Sequence, residues 1–175
     1  LMTLFLALEK IQSGEISLTD TVTATAEDEM IAQLQTMKNN NVITGNVYSI
    51  EELIQLLLTP TSNVATLMLG QQIEEAPDAF VDLMNTKAQE LGLTHTKYWN
   101  ATGIPASYFG ETYVLQSHDP TKYNQATASD LAILTYHLLK EFPEILDWSK
   151  QTETTVLPNT LYEENFSTNN LALAG

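Results

Sequence analysis

Apolar positions recur at helical spacing through most of the chain. From Leu1 to Ser13 the sequence is apolar nearly all round: Leu1, Leu4, Phe5, Leu8 and Ile11 form one stripe, and Met2, Leu6 and Ala7 fill much of the rest. So little polar surface predicts a central helix buried on all sides, stopping at Gly14. Alternation of Thr with Val and Ala over residues 17–25 predicts an extended segment, and Met30, Ile31, Leu34 and Met37 predict a helix over residues 27–38. Turn chemistry at Asn39-Asn40-Asn41 and Thr44-Gly45-Asn46 follows. Ser49 with Glu52 three residues on is a capping box, opening a helix that carries Leu53, Ile54, Leu56, Leu57 and Leu58 to Pro60.

A second apolar helix runs from Val64 through Leu67 and Met68 toward Ile73, and Pro77 sits in the first turn of a third. That helix places Phe80, Leu83, Met84, Ala88 and Leu91 on one face and closes at Gly92. Between Leu93 and Ala126 the periodicity dissolves into a long ordered loop, in which only residues 95–99 resemble a short strand. Thr127-Ala128-Ser129-Asp130 opens a helix bearing Leu131, Leu134, Leu138 and Leu139 as far as Phe142, and a short turn follows Pro143 through Trp148. Residues 152–157 have strand composition, and residues 165–175 return to a mixed polar and apolar run. The pattern predicts a mostly helical domain with few short strands, divided into helix 1–13, a helical region over about 27–150 and a return toward sheet over 151–175.

Composition narrows the functions open to such a domain. The chain has 175 residues, 43% apolar and 17% charged, which is enough for one domain with a core. Seven basic against 22 acidic residues give a net charge of -15, which argues against nucleic acid and against unaided binding to anionic lipid. With no cysteine there is no disulfide, no thiolate catalysis and no Cys-based zinc site. No stretch reaches the ~18 apolar residues of a membrane span, so membrane association is expected only through segments outside this chain. The uncapped opening at Leu1 and the closing Leu171-Ala172-Leu173-Ala174-Gly175 read as cut ends of a longer protein. Taken alone, these residues are expected to expose an apolar patch along Leu1 to Ile11 and to self-associate.

Candidate chemistry is sparse. His95, His118 and His137 lack metal-ligand spacing, the acid pairs Glu51-Glu52 and Glu74-Glu75 sit at helix ends, and the glycines form no phosphate-binding pattern. No metal and no cofactor is expected. His118-Asp119 could orient a base, but no G-x-S-x-G elbow accompanies it. What remains is Pro60-Thr61-Ser62-Asn63, where an apolar helix halts and three small polar side chains open the next. Residue chemistry alone reads this turn as a helix cap.

The order of segments resembles the penicillin-binding D-alanyl-D-alanine carboxypeptidases, over nearly the whole chain. Leu1 to Glu9 is similar to the helix after that family's Ser-x-x-Lys box, and Leu57 to Ala65 to the region of its Ser-x-Asn box. Residues 80–92 and Trp99-Asn100-Ala101-Thr102-Gly103-Ile104-Pro105 resemble the helix and Asn-x-x-Gly-Leu turn that follow. Thr127 to Pro143 is similar to the Thr-Ala-x-Asp-x-Ala helix, and Ser167-Thr168-Asn169-Asn170-Leu171 to the segment before Lys-Thr-Gly.

The resemblance implies a mixed α/β fold of the β-lactamase/transpeptidase type and a serine acyl-enzyme mechanism. It implies a stem peptide ending in D-Ala-D-Ala as substrate, acylation by β-lactam antibiotics, and an extracytoplasmic location at the bacterial cell wall, with any export signal outside this chain. By position Thr61 supplies the middle-box hydroxyl that passes a proton toward the leaving amine, and Asn63 hydrogen-bonds the acyl side of the substrate, with Ser62 a further candidate contact. Residues two apart in an extended turn would aim Thr61 and Asn63 into one cleft and Ser62 away from it. The family's usual Ser is Thr61 here, and neither the nucleophile Ser with its Lys nor Lys-Thr-Gly lies in the chain, so these residues alone are expected to be inactive. A class A β-lactamase and a non-catalytic binding module stay open as alternatives, with the Asn100 to Pro105 turn and Asn169-Asn170 favouring the carboxypeptidase.

Overall fold

The computed structural model describes residues 1–35 and 37–168, which divide into two compact units. One unit comprises residues 1–13 and 70–143, the other residues 14–69 and 144–175. Thr36, within the helix predicted over 27–38, lies outside the described residues, as do Asn169, Asn170 and the run Leu171 to Gly175.

The first unit is built on α1 (Met2–Gln12), whose residues Met2 to Leu8 are all buried. Within the unit Phe5 meets Phe142 edge-on with centroids 5.4 Å apart, and Thr3 Oγ1 donates to the Ala101 carbonyl at 2.9 Å. This corrects the expectation of an exposed apolar patch, because Met2, Leu4, Phe5, Leu6, Ala7 and Leu8 are each no more than 2% exposed. The neighbouring helix α5 (Pro77–Glu90) starts with Pro77 and yields to Gly92 at φ 73°, and its Lys87 reaches Glu9 of α1 at 2.9 Å. At Gly70 a Cβ would lie 3.2 Å from the Phe80 ring, so a glycine inside a helix allows that ring to close in.

In the last helix of this unit, α6 (Ala128–Glu141), Thr127 Oγ1 accepts the Asp130 N–H at 3.1 Å. The Asp130 carboxylate turns instead to the long loop, accepting the His95 N–H at 2.8 Å and the Thr96 hydroxyl at 2.7 Å. The apolar stripe of α6 is narrower than its sequence suggests, with Leu134 and Leu138 buried and Leu131 and Leu139 exposed. The strand predicted at residues 95–99 is a single bridge, Lys97 to Gln125, since the backbone beside it is captured by asparagine side chains. A 3-10 segment, Ala106–Thr112, lies in the same loop.

In the second unit β1 (Thr21–Thr23) and β2 (Val47–Ser49) pair antiparallel, Val22 opposite Tyr48. Helix α2 (Ala26–Ala32) opens on a capping box of Thr25 and Asp28. It ends earlier than predicted because Asn39 Nδ2 binds the Ile31 and Ala32 carbonyls at 2.9 and 3.5 Å, taking the place of a further turn. Helix α3 (Ile50–Leu58) has the predicted box of Ser49 and Glu52, and the second oxygen of Glu52 accepts the Leu157 N–H at 2.8 Å. Helix α4 (Asn63–Ile73) follows. After α7 (Ile145–Ser149), β3 (Glu153–Val156) pairs antiparallel with β4 (Glu164–Ser167), a strand its mixed composition does not announce.

Candidate active-site turn

The turn between α3 and α4 is fixed by what its neighbours leave for it. Helix α3 ends because Pro60 cannot continue it, and Thr59, buried, bonds Thr154 Oγ1 at 3.2 Å. The Ser62 N–H then returns to the Leu56 carbonyl at 2.9 Å, which forces a sharp reversal at Thr61. Thr61 takes φ 62°, in the left-handed region that a β-branched residue rarely occupies, and it is exposed. A strained, exposed hydroxyl at the mouth of a helix is the most unusual feature of this turn.

Ser62 points inward and is 1% exposed. Its Oγ accepts the Ala65 N–H at 3.3 Å, as the cap of α4, and donates to Asn40 Oδ1 at 2.7 Å. Asn63 is the first residue of α4 and half-buried; its backbone N–H and its Nδ2 both donate to the Lys38 carbonyl at 2.9 Å. One amide hydrogen is thereby committed, which leaves a second N–H on Nδ2 for another acceptor. The expected extended turn with Thr61 and Asn63 two apart on one side is corrected: Thr61 is left-handed and Asn63 already helical. Ser62 faces away as expected and caps α4, as residue chemistry alone reads this turn.

The partners of this turn are Lys38, Asn39 and Asn40, the start of a segment whose asparagines sequence reading treats only as turn formers. Their signal was their number, since three successive amides offer donors and acceptors to two helices at once. Asn41 N–H donates to both Glu164 oxygens at 3.1 Å, and burial drives the Glu164 carboxyl above its ordinary range against that bond. Asn40 Nδ2, Asn46 Nδ2 and the Tyr48 hydroxyl are buried and find no hydrogen-bond partner among the described residues. Burial pushes the Tyr48 phenol up; the amides of Asn46 and Asn40 oppose this from nearby, and the charges of Glu164 and Glu52 add to it.

The histidines stand apart from the turn in the chain and take local partners. His118 Nε2 lies 3.1 Å from Asp82, with its ring edge-on to Trp99, and His137 Nδ1 lies 2.9 Å from Glu141 one turn along α6. Among the described residues there is no cluster of three or more groups able to hold a metal ion.

The helices and short antiparallel strands of the described residues share their fold with solved penicillin-binding proteins. A peptidoglycan synthesis regulatory factor (PBP3) from Streptococcus pneumoniae superimposes with a TM-score of 0.83 at 24% identity, over 99% of this chain and 50% of that one. Penicillin-binding protein D2 of Listeria monocytogenes, in its ampicillin-bound form, gives a TM-score of 0.73 at 22% identity, over 99% of this chain and 61% of that one. The chain belongs to the D-alanyl-D-alanine carboxypeptidase peptidase family, whose model matches residues 1–174. The D-alanyl-D-alanine carboxypeptidase DacF of Bacillus subtilis is 26% identical over 80% of this chain and 31% of its own length. The chain spans about a third of the length of the curated relatives it matches.

Proposed function

We propose that the full-length protein is a serine-type D-Ala-D-Ala carboxypeptidase of the bacterial cell wall, acting outside the cytoplasm, and that these residues are part of one transpeptidase-like catalytic domain. The observation that carries the reading is the family match over residues 1–174, joined to the left-handed, exposed Thr61 two residues before Asn63. In this reading a serine hydroxyl from outside the chain attacks the carbonyl of the penultimate D-alanine. The C–N bond breaks, terminal D-alanine leaves with a proton, and water hydrolyses the acyl-serine. Thr61 passes that proton to the leaving amine, and the uncommitted Asn63 N–H holds the acyl side of the substrate. A β-lactam enters by the same attack and stays as the acyl-enzyme.

The test uses the full-length gene product with a stem-peptide analogue ending in D-Ala-D-Ala and with a fluorescent penicillin. D-Alanine release and a stable serine-linked adduct are expected, with no adduct on residues 1–175 alone. Thr61→Ala should lower kcat by about 10²-fold or more while Thr61→Ser retains most of it, the range of a positioned proton-transfer group. Rapid β-lactam hydrolysis without D-alanine release would make the protein a β-lactamase. Absence of both activities would make it a binding module.

A further inference from the structure

Turn propensity explains the backbone at Asn39-Asn40-Asn41 but not the destinations of its polar groups. The Lys38 carbonyl takes two donors from Asn63, Asn40 Oδ1 takes the Ser62 hydroxyl, and Asn39 Oδ1 takes the Val64 N–H at 3.0 Å. Three consecutive residues of one segment thus grip three consecutive residues at the start of α4. The far end of the segment is tied to β4 through Asn41 and Glu164. A serine cap needs only its own helix N–H, which Ser62 already has from Ala65, so the contact with Asn40 is additional to capping.

We propose that Asn40 is a positioning residue for the Thr61-Ser62-Asn63 turn, holding Ser62 from behind so that Thr61 and Asn63 keep their reactive orientation. The inference rests on the reading of that turn as part of the catalytic machinery. The requirement is for an asparagine specifically. Oδ1 must accept from the Ser62 hydroxyl, and Nδ2 must occupy the buried ground shared with Tyr48, Asn46 and Glu164, where a donor is compatible with the nearby carboxylate. An aspartate would keep the acceptor for Ser62 but place a second carboxylate beside Glu164, with Glu52 also facing Tyr48. An alanine would take away the acceptor of the Ser62 hydroxyl, leaving the residue-40 N–H on Ser62 Oγ at 3.4 Å as the one remaining link, and so loosen the support behind Thr61.

In the full-length gene product, Asn40→Ala and Ser62→Ala should each slow acylation by fluorescent penicillin about tenfold, and the double variant should be no slower than the worse single one, the signature of one shared contact. Asn40→Asp should be slow as well, and Asn40→Asp with Glu164→Gln should recover most of the wild-type rate, both rates being taken per folded molecule and Glu164→Gln alone acylating at the wild-type rate. Amide exchange at Ser62 to Ala65 should rise in Asn40→Ala relative to α5. Wild-type acylation by a folded Asn40→Ala variant, or effects of Asn40→Ala and Ser62→Ala that multiply, would overturn the inference. If Asn40→Ala does not fold, the Asp variant with and without Glu164→Gln decides, and absence of rescue overturns it. A wild type that takes no penicillin at all sinks the carboxypeptidase reading instead; exchange at residues 62–65 unchanged in the variants would then sink the positioning role separately.

Discussion

The two units handle buried asparagine in different ways. In the first, Asn100 is 1% exposed and paired at both ends of its amide: Oδ1 accepts the Gly103 N–H at 2.6 Å, Nδ2 donates to the Lys122 carbonyl at 3.1 Å, and its backbone is held at both ends by Asn124. In the second, Asn40 commits Oδ1 to Ser62, while its Nδ2, Asn46 Nδ2 and the Tyr48 hydroxyl are buried without a hydrogen-bond partner among the described residues. Their carboxylates differ in the same sense. The Thr96 hydroxyl, with the His95 N–H and Thr127, holds Asp130 below its ordinary pKa, while burial lifts Glu164 above its own. A buried asparagine that pairs both ends of its amide serves the fold of a loop. One that leaves donors open beside a strained turn gives up stability where the proposed chemistry is.

The contrast can be broken most decisively at Asn100. Asn100→Ala strands the Gly103 N–H and the Lys122 carbonyl, and should cost about 2–3 kcal/mol in urea unfolding, with no selective effect on acylation by the folded fraction. An equal loss from Asn46→Ala would erase the distinction between the clusters.

The two carboxylates should then titrate with opposite sign. Asp130 has a lowered folded pKa, so its contribution is present above its unfolded value of about 3.9 and is lost as pH falls through the folded one. Asp130→Asn should therefore be less stable than wild type at pH 7, with the gap in urea midpoint closing below about pH 4. Glu164 has a raised folded pKa, so its favourable contribution is present below its unfolded value of about 4.3 and is lost as pH rises through the folded one. Wild type should lose ground to Glu164→Gln between about pH 4 and pH 7; a gap of constant size would show that Glu164 titrates alike in both states.

The smallest expected effect is at Thr61. Thr61→Gly relieves a left-handed threonine but frees the unfolded chain, so stability should rise by only ~0.5 kcal/mol, measured by the urea midpoint, while carboxypeptidase activity falls with the loss of the hydroxyl. A loss of stability instead would place the threonine methyl among the packing contacts of the second unit.

Much of this fold was legible in local pattern. The capping box at Ser49, the proline start of α5, the glycine stop at Gly92 and the all-round apolar α1 are set by neighbours a few residues apart, and each stands where the spacing places it. The family was legible too, from five segments in order. The length of α2 was not, because Asn39, outside the helix, captures its last carbonyls. Strand β4 was not, because pairing with β3 outweighs a mixed composition. The burial of α1 was read correctly, but not the contacts made by its side chains, such as Phe142 on Phe5 and Ala101 on Thr3, which lie far along the chain.

The sequence by itself determined where the helices other than α2 begin and end, which residues are apolar enough to form the cores, and the presence of Thr61 and Asn63 at their spacing. Tertiary structure decided how that spacing is used. The left-handed Thr61, the inward Ser62 and the committed amide of Asn63 depend on Lys38 to Asn40 and on Leu56, groups brought to the turn only when the chain folds back on itself. Hydrogen bonds between residues more than twenty positions apart leave no local periodicity, so pattern reading could find the turn without finding what holds it.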